Sequence, residues 1–268
     1  MILRPALLLG FWITVGMAAT CSVGSIFRSD AAQLPLLAHP FLLPLGLGLL
    51  LAAKVPLVFL RAGWLELGAH RRLRNVRPVP PPAALQAALG GIDDVPIACI
   101  KADAPVAFCA GALRPVVYVS IGLVRRLAKG ELSAVLLHEL DHARRREPLR
   151  RLLAASLAEV AFYLPLLDWW ARRRAELAEL RADRAALEVE PPSALAGALL
   201  TVGTSPSEGI AGFSQVTEAR IAQLHAEPWR SAPAGWRLWA SSVMGGAMAV
   251  LATICLVQDL HLVFSHRL

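Results

Sequence analysis

From Pro5 to Phe27 the chain carries no charged residue, and from Leu34 to Leu60 it carries only Lys54. Few folds admit such runs. About 20 apolar residues match the hydrocarbon thickness of a bilayer, and inside lipid the backbone must satisfy its own hydrogen bonds, so each run is expected to cross a membrane as a helix. A second apolar run comes almost directly after the first, so the first reads as a permanent span and not as a cleaved signal. Pro35, Pro40, Pro44 and Pro56 predict kinks in the second. A third run, Leu238 to Val257, has Trp236 and Trp239 at one end, as an interfacial belt would. With 56% hydrophobic and 18% charged residues among 268, the chain departs from soluble averages in the same direction.

Charge sets the expected orientation. Arg61, Arg71, Arg72, Arg74 and Arg77 come after the second run, against only Arg28 and Asp30 in the loop before it. By the positive-inside rule the N-terminus and the stretch after Arg61 are cytoplasmic. The net charge of +7 is accounted for in this way, and no nucleic-acid-binding motif accompanies it, so direct nucleic-acid binding is not expected. Cys21, Cys99, Cys109 and Cys255 have neither metal-site nor disulfide spacing and read as free thiols.

Between the second and third runs the pattern changes to that of a water-facing α+β domain. Val76 to Pro82, VRPVPPP, is a connector that cannot continue a helix. Val95–Ile100, Val106–Cys109 and Pro115–Ser120 read as short strands, and Glu131–Arg146 as a helix with Ser133 near its start and Pro148 ending it. Leu152 to Trp170 is apolar apart from Glu159 and Asp168, but arginines flank both ends and Pro165 interrupts it. It is expected to dip into the membrane surface, turn near Pro165 and return, because a crossing would put its two flanking helices on opposite sides of the bilayer. Ala171–Val189 reads as a charged helix, and Pro191–Glu227 as two short helices around the loop TSPSEG. The expected organisation is therefore two spans in residues 1–60, a cytoplasmic domain in 61–235, and a last span with a short tail in 236–268. There is no internal repeat.

The chemistry is concentrated in Leu136–Glu147, LLHELDHARRRE. His138, Glu139 and His142 form H-E-x-x-H, which places two imidazoles on one helix face, suited to two corners of a zinc tetrahedron. Glu139, about 100° further round, is placed to take a proton from water. The same residues also suit an ordinary amphipathic helix, and Asp141 sits where zinc-protease helices usually carry an uncharged residue. A third ligand is required. Glu176, Glu179 and Asp183 share one face of the charged helix, with Asp168 and Glu159 as weaker candidates, and spacing alone does not choose among them. Their plain alternative is a solvated face pairing with Arg172, Arg173 and Arg181.

Four segments, AFCAGALRPVVYVSIGL (Ala107–Leu123), LSAVLLHELDHARRREPL (Leu132–Leu149), YLPLLDWWARRR (Tyr163–Arg174) and ELRADRAAL (Glu179–Leu187), are similar to the BlaR/MecR-like membrane metallopeptidases. RIAQLH (Arg220–His225) resembles that family's closing Arg-Ile-x-x-Leu element, and the HtpX and CaaX prenyl protease group is a more distant likeness. The resemblance implies a zincin-like domain with one zinc ion on His138, His142 and Glu179. It implies Glu139 as the general base and Asp183 as the carboxylate that fixes a ligand imidazole. It also implies that Ala107, Phe108, Cys109, Ala110 and Gly111 form an edge strand on which a substrate lies by β-augmentation. Arg181 and Arg184 are candidates for stabilising the oxyanion. The family's antibiotic-sensing members carry a penicillin-binding domain after their last span. This chain ends at Leu268, so β-lactam sensing of that kind is not expected.

The function expected is a multi-pass membrane zinc endopeptidase with its active site on the cytoplasmic side. Its substrate would be a cytoplasmic or membrane-associated protein, such as a transcriptional repressor in a signalling pathway, and its other partners the lipid bilayer and, compatibly, a second copy of the chain. The alternative is a non-catalytic regulator that keeps the fold and acts through protein contacts, for which Glu139 would have no chemical use. A transporter is disfavoured by the few spans and by an ionisable cluster in the water-facing part.

Overall fold

The computed structural model describes residues 42–74, 76–90, 94–203, 213–224 and 233–265. The run Pro5–Phe27 and the loop TSPSEG lie outside them. The architecture is mostly helical with one small mixed sheet. Two described helices are long and apolar enough to cross a membrane, within Gly48–Leu73 and Trp236–Ile254.

The first of these, α1 (Leu42–Leu73), runs without a break through Pro56 and past Arg61. Arginine costs a helix nothing in water, so the charge at Arg61 marks where the apolar surface ends and not where the helix does. Chain direction changes only at the proline-rich connector. There Pro78–Val79 form β1, an edge strand, where proline's missing N–H is tolerated. Next come α2 (Ala83–Leu89), β2 (Ile97–Ile100), β3 (Ala107–Ala110), β4 (Val116–Ser120) and α3 (Ile121–Arg126). After them come α4 (Lys129–Arg144), α5 (Glu147–Val160), α6 (Pro165–Leu187), α7 (Pro192–Gly203), α8 (Phe213–Leu224) and α9 (Trp236–Ser265).

The sheet order is β1-β2-β4-β3. β2 and β4 are parallel, pairing Ile97 with Val117 and Cys99 with Val119, and β3 lies antiparallel to β4, pairing Phe108 with Tyr118. β3 is thus an outer strand. Gly111 turns it towards β4 with φ at +98°, and a Cβ there would sit 2.4 Å from the Arg114 carbonyl, so only glycine fits. Ala112, next in the turn, donates its N–H to Glu66 Oε1 on α1 at 2.8 Å.

The chain divides into two compact units. One holds residues 62–155 and 170–233 and contains the sheet. Its core joins Cys99, Val117 and Val119 of the sheet to Leu123, Leu132, Leu136 and Leu140 on α3 and α4, with Leu85 of α2 beside them. Cys99 and Cys109 are free thiols.

The other unit contains, among described residues, the apolar part of α1, residues 156–169 and α9. The apolar segment expected to dip and return is the end of α5, a turn at residues 161–164 and the start of α6 at Pro165. Glu159 accepts from Arg61 Nε at 2.6 Å, joining α5 to α1. The Leu166 N–H donates to Ser242 Oγ at 2.9 Å, and a Cβ on Gly245 would meet the Tyr163 carbonyl at 2.0 Å. Glycine in α9 therefore permits close approach, as small residues do between helices in lipid. Leu51, Val55, Phe59 and Leu60 on α1 and Val243 and Met244 on α9 are exposed, a costly display in water and an ordinary one in a bilayer.

Pro148 does not end the motif helix. It lies in the first turn of α5, where proline is accommodated. The stop is made by Arg145 as C-cap and by Arg146, whose φ of +51° is left-handed without being glycine.

Candidate metal centre

Helix α4 has two working faces. Leu132, Leu136 and Leu140 repeat every fourth residue against the sheet, and at about 100° per residue His138 and His142 emerge on the opposite side. The helix begins at Lys129, ahead of the expected Glu131, whose carboxylate reaches back to accept the Ala128 N–H at 2.8 Å. Asp141 turns to Arg145, whose Nε donates to it at 2.7 Å, so its charge is spent within the helix.

Facing the imidazoles is α6. Its Glu179 and Asp183, one turn apart, do different things. His138 Nε2 and His142 Nε2 are 3.1 Å apart, and the two oxygens of Glu179 lie 3.4 Å from the first and 3.5 Å from the second. Asp183 Oδ1 is 2.8 Å from the other nitrogen of His138, Nδ1. An ionised carboxylate only accepts, so Nδ1 carries a proton, and in the neutral imidazole the lone pair falls on Nε2.

These atoms fit a zinc ion. With bonds of about 2.0–2.2 Å, two corners of a metal tetrahedron lie about 3.3–3.6 Å apart; the two imidazole nitrogens are 3.1 Å apart, and each lies 3.4 or 3.5 Å from a different oxygen of Glu179. Three donors of the nitrogen and carboxylate type lie within 4.8 Å of one another, two of them buried and one half-buried.

The electrostatics suit a cation. Burial alone lowers the pKa of His138, but the hydrogen bonds to Asp183 and Glu179 outweigh it and raise it to about 9. Glu179 is held well below the usual carboxylate range: burial opposes ionisation, and both histidines and the charge of Arg151 overcome it. Asp183 is lowered likewise, burial being outweighed by His138 and Arg220.

An open cleft of about 170 Å³ adjoins the centre, lined by Phe108 and Cys109 of β3, by Glu139, and by Glu147, Pro148 and Arg151 of α5. Of the edge-strand residues Ala107 to Gly111, then, Phe108 and Cys109 face the cleft. Phe108 stacks on Tyr118 with ring centroids 5.1 Å apart. Burial, with the charge of Glu139 second, pushes the Cys109 thiol up to about 12, so it is no nucleophile at neutral pH.

Glu176 is not in the group; it lies 2.9 Å from Arg173. Of the arginines proposed from sequence, Arg184 is exposed and Arg181 lies 3.8 Å from Glu147. The arginine lining the cleft is Arg151, which donates to Glu179. A second arginine, Arg220 of α8, donates to Asp183 from Nε at 2.6 Å and from Nη2 at 2.7 Å. Sequence reasoning gave neither of them a role, although Arg220 heads the RIAQLH element.

A family model described as BlaR1 peptidase M56 matches residues 41–222. Protease HtpX homolog 2 of Methanosarcina mazei is 38% identical over 81 residues, 28% of this chain and 28% of the relative. Protease HtpX homolog of Moorella thermoacetica is 37% identical over 93 residues, 33% of this chain and 31% of its own length. The chain thus spans about a third or less of the curated relatives it matches.

Proposed function

The chain belongs to the BlaR1 peptidase M56 family, and from that premise we propose that it is an integral-membrane, zinc-dependent endopeptidase working on the cytoplasmic side. The observation that carries the reading is the convergence of His138, His142 and Glu179 on one point, with Glu139 lining the cleft beside it. Zinc held there would supply Lewis acidity to a water molecule and to the oxygen of a peptide carbonyl.

The protein's own groups do the rest. Glu139 takes the proton of the attacking water and returns it to the leaving amine. Asp183 holds His138 in the tautomer that leaves Nε2 free. The outer edge of β3 pairs with an extended substrate, and Phe108 and Cys109 set the apolar wall against which its side chains rest. A loop of a membrane-associated protein or of a repressor is the class of substrate that such an edge takes.

The arginines after Arg61 favour the cytoplasmic side. In this reading Pro5–Phe27 is a third span, residues 61–235 are the catalytic domain, and the segment around Pro165 dips into the bilayer. The test is metal content and casein or membrane-protein cleavage by detergent-purified full-length protein, wild type beside Glu139→Gln. One zinc per chain in both with cleavage only in the wild type supports the enzyme; equal cleavage by both, or no zinc in the wild type, rejects it.

A further inference from the structure

We propose that Arg220 is a positioning residue for the metal centre, acting through Asp183 on His138. This rests on the reading of His138, His142 and Glu179 as metal ligands, but assigns a role to a residue on a separate helix.

Asp183 is 1% exposed, and both of its oxygens are engaged. Oδ2 accepts from Arg220 Nε at 2.6 Å, and Oδ1 accepts from Arg220 Nη2 at 2.7 Å and from His138 Nδ1 at 2.8 Å. The guanidinium is a rigid planar fork, so two parallel bonds fix the plane of the carboxylate as well as its distance. A carboxylate free to turn would present its oxygens to His138 over a range of directions. Clamped, it presents one, and that direction fixes the imidazole ring whose Nε2 faces Glu179 and His142.

Arg220 is well placed to do this. Its side chain is 16% exposed, and Nη1 is 3.8 Å from Glu179 Oε2, so one guanidinium spans both carboxylates of α6. It is also the reason that α8 belongs to the site: α8 supplies no ligand in the group. A second contact, Gln223 Nε2 donating to the Leu180 carbonyl at 3.0 Å, docks α8 on α6 without touching Asp183. The two contacts separate docking of the helix from orientation of the carboxylate.

The test is a zinc titration of metal-stripped, detergent-purified full-length protein against a chromophoric chelator. The proteins compared are the wild type, Arg220→Gln, Arg220→Lys, Gln223→Ala, Asp183→Asn and the double variant Arg220→Gln with Asp183→Asn. Arg220→Gln is expected to weaken zinc binding about 10- to 100-fold, the range seen when support behind a ligand is removed. Gln223→Ala is expected to leave it within about threefold. The double variant should lose clearly less than the sum of the two single losses, because with Asp183 changed Arg220 keeps only its more distant contact with Glu179. Arg220→Lys, which keeps the charge but not the fork, should fall between wild type and Arg220→Gln, and it decides the matter if the glutamine variant does not fold. Zinc bound equally by wild type, Arg220→Lys and Arg220→Gln overturns the inference alone. So do equal losses in Arg220→Gln and Gln223→Ala, or fully additive losses in the double variant. No zinc in the wild type overturns the metal site as well.

Discussion

Arg151, from the second turn of α5, donates to the same Glu179 carboxylate that faces both imidazoles of α4. A fixed positive charge thus stands beside the place where a divalent cation would sit, and the two compete for one carboxylate. Arg151→Gln is expected to tighten zinc binding by up to about tenfold, a modest gain because the arginine is 43% exposed and screened. Chelator competition reads this directly; weaker binding would mean that Arg151 instead holds Glu179 in place as a ligand.

Removing ligands and removing the base should separate cleanly. Glu179→Ala is expected to lose stoichiometric zinc, whereas Glu139→Gln keeps it and loses about 10²- to 10⁴-fold in peptide cleavage. Metal analysis and turnover on the same preparations check both.

The metal-free centre should bind zinc in exchange for a proton. The pKa of His138 is raised from 6.5 to about 9, so at pH 7 the proton is present and must leave when the cation arrives. Apparent zinc affinity is therefore expected to rise about tenfold per pH unit from about 7 and to level off above about 9. Calorimetry in buffers of different ionisation enthalpy should show about one proton released per zinc at pH 7.

Arg146 holds a left-handed φ of +51° between α4 and α5. That conformation costs a non-glycine residue about 1–2 kcal/mol, while glycine costs about 0.5–1 kcal/mol more in the unfolded chain. Arg146→Gly is expected to stabilise the protein by about 0.5–1 kcal/mol, seen as a higher unfolding midpoint in detergent. A lower midpoint would show that the arginine side chain does more than the turn costs.

Gly111→Ala has no such balance. The φ of +98° and the 2.4 Å approach to the Arg114 carbonyl both oppose a side chain, and β3 ends at Ala110, immediately before that turn. A loss of about 2 kcal/mol or more is expected, with substrate cleavage falling further than zinc content. Equal loss of both would show that the turn supports the whole domain and not the strand edge in particular.

How much of this was legible in the sequence depends on distance along the chain. His138 and His142 are one turn apart, and helical geometry brings them to one side whatever the rest of the fold does. Glu179 was different: Glu176, Glu179 and Asp183 share a face, and only resemblance separated them. Sequence spacing could not show which of these α6 carboxylates faces the histidines. Arg220 lies 37 residues from Asp183 and its pairing depends on how α8 packs, which no local pattern records. The ends of α4 depart from the sequence pattern for a similar reason. Pro148 looks like a stop but tolerates a first turn, while the true stop uses Arg146 in a backbone state that arginine seldom signals. The extension of α1 beyond Arg61 was hidden because a charge ends a membrane span without ending a helix.

β3 is four residues long and forms the outer strand of its sheet. At about 3.3 Å per residue it offers about 13 Å of free edge. A segment already paired on both sides in a sheet or bonded within a helix cannot fill that length, whereas an exposed loop can. On the proposed function the edge would act as a ruler for disorder: whatever is cut would have to present a short unpaired stretch. Which proteins are destroyed would then be set as much by their local stability as by their sequence.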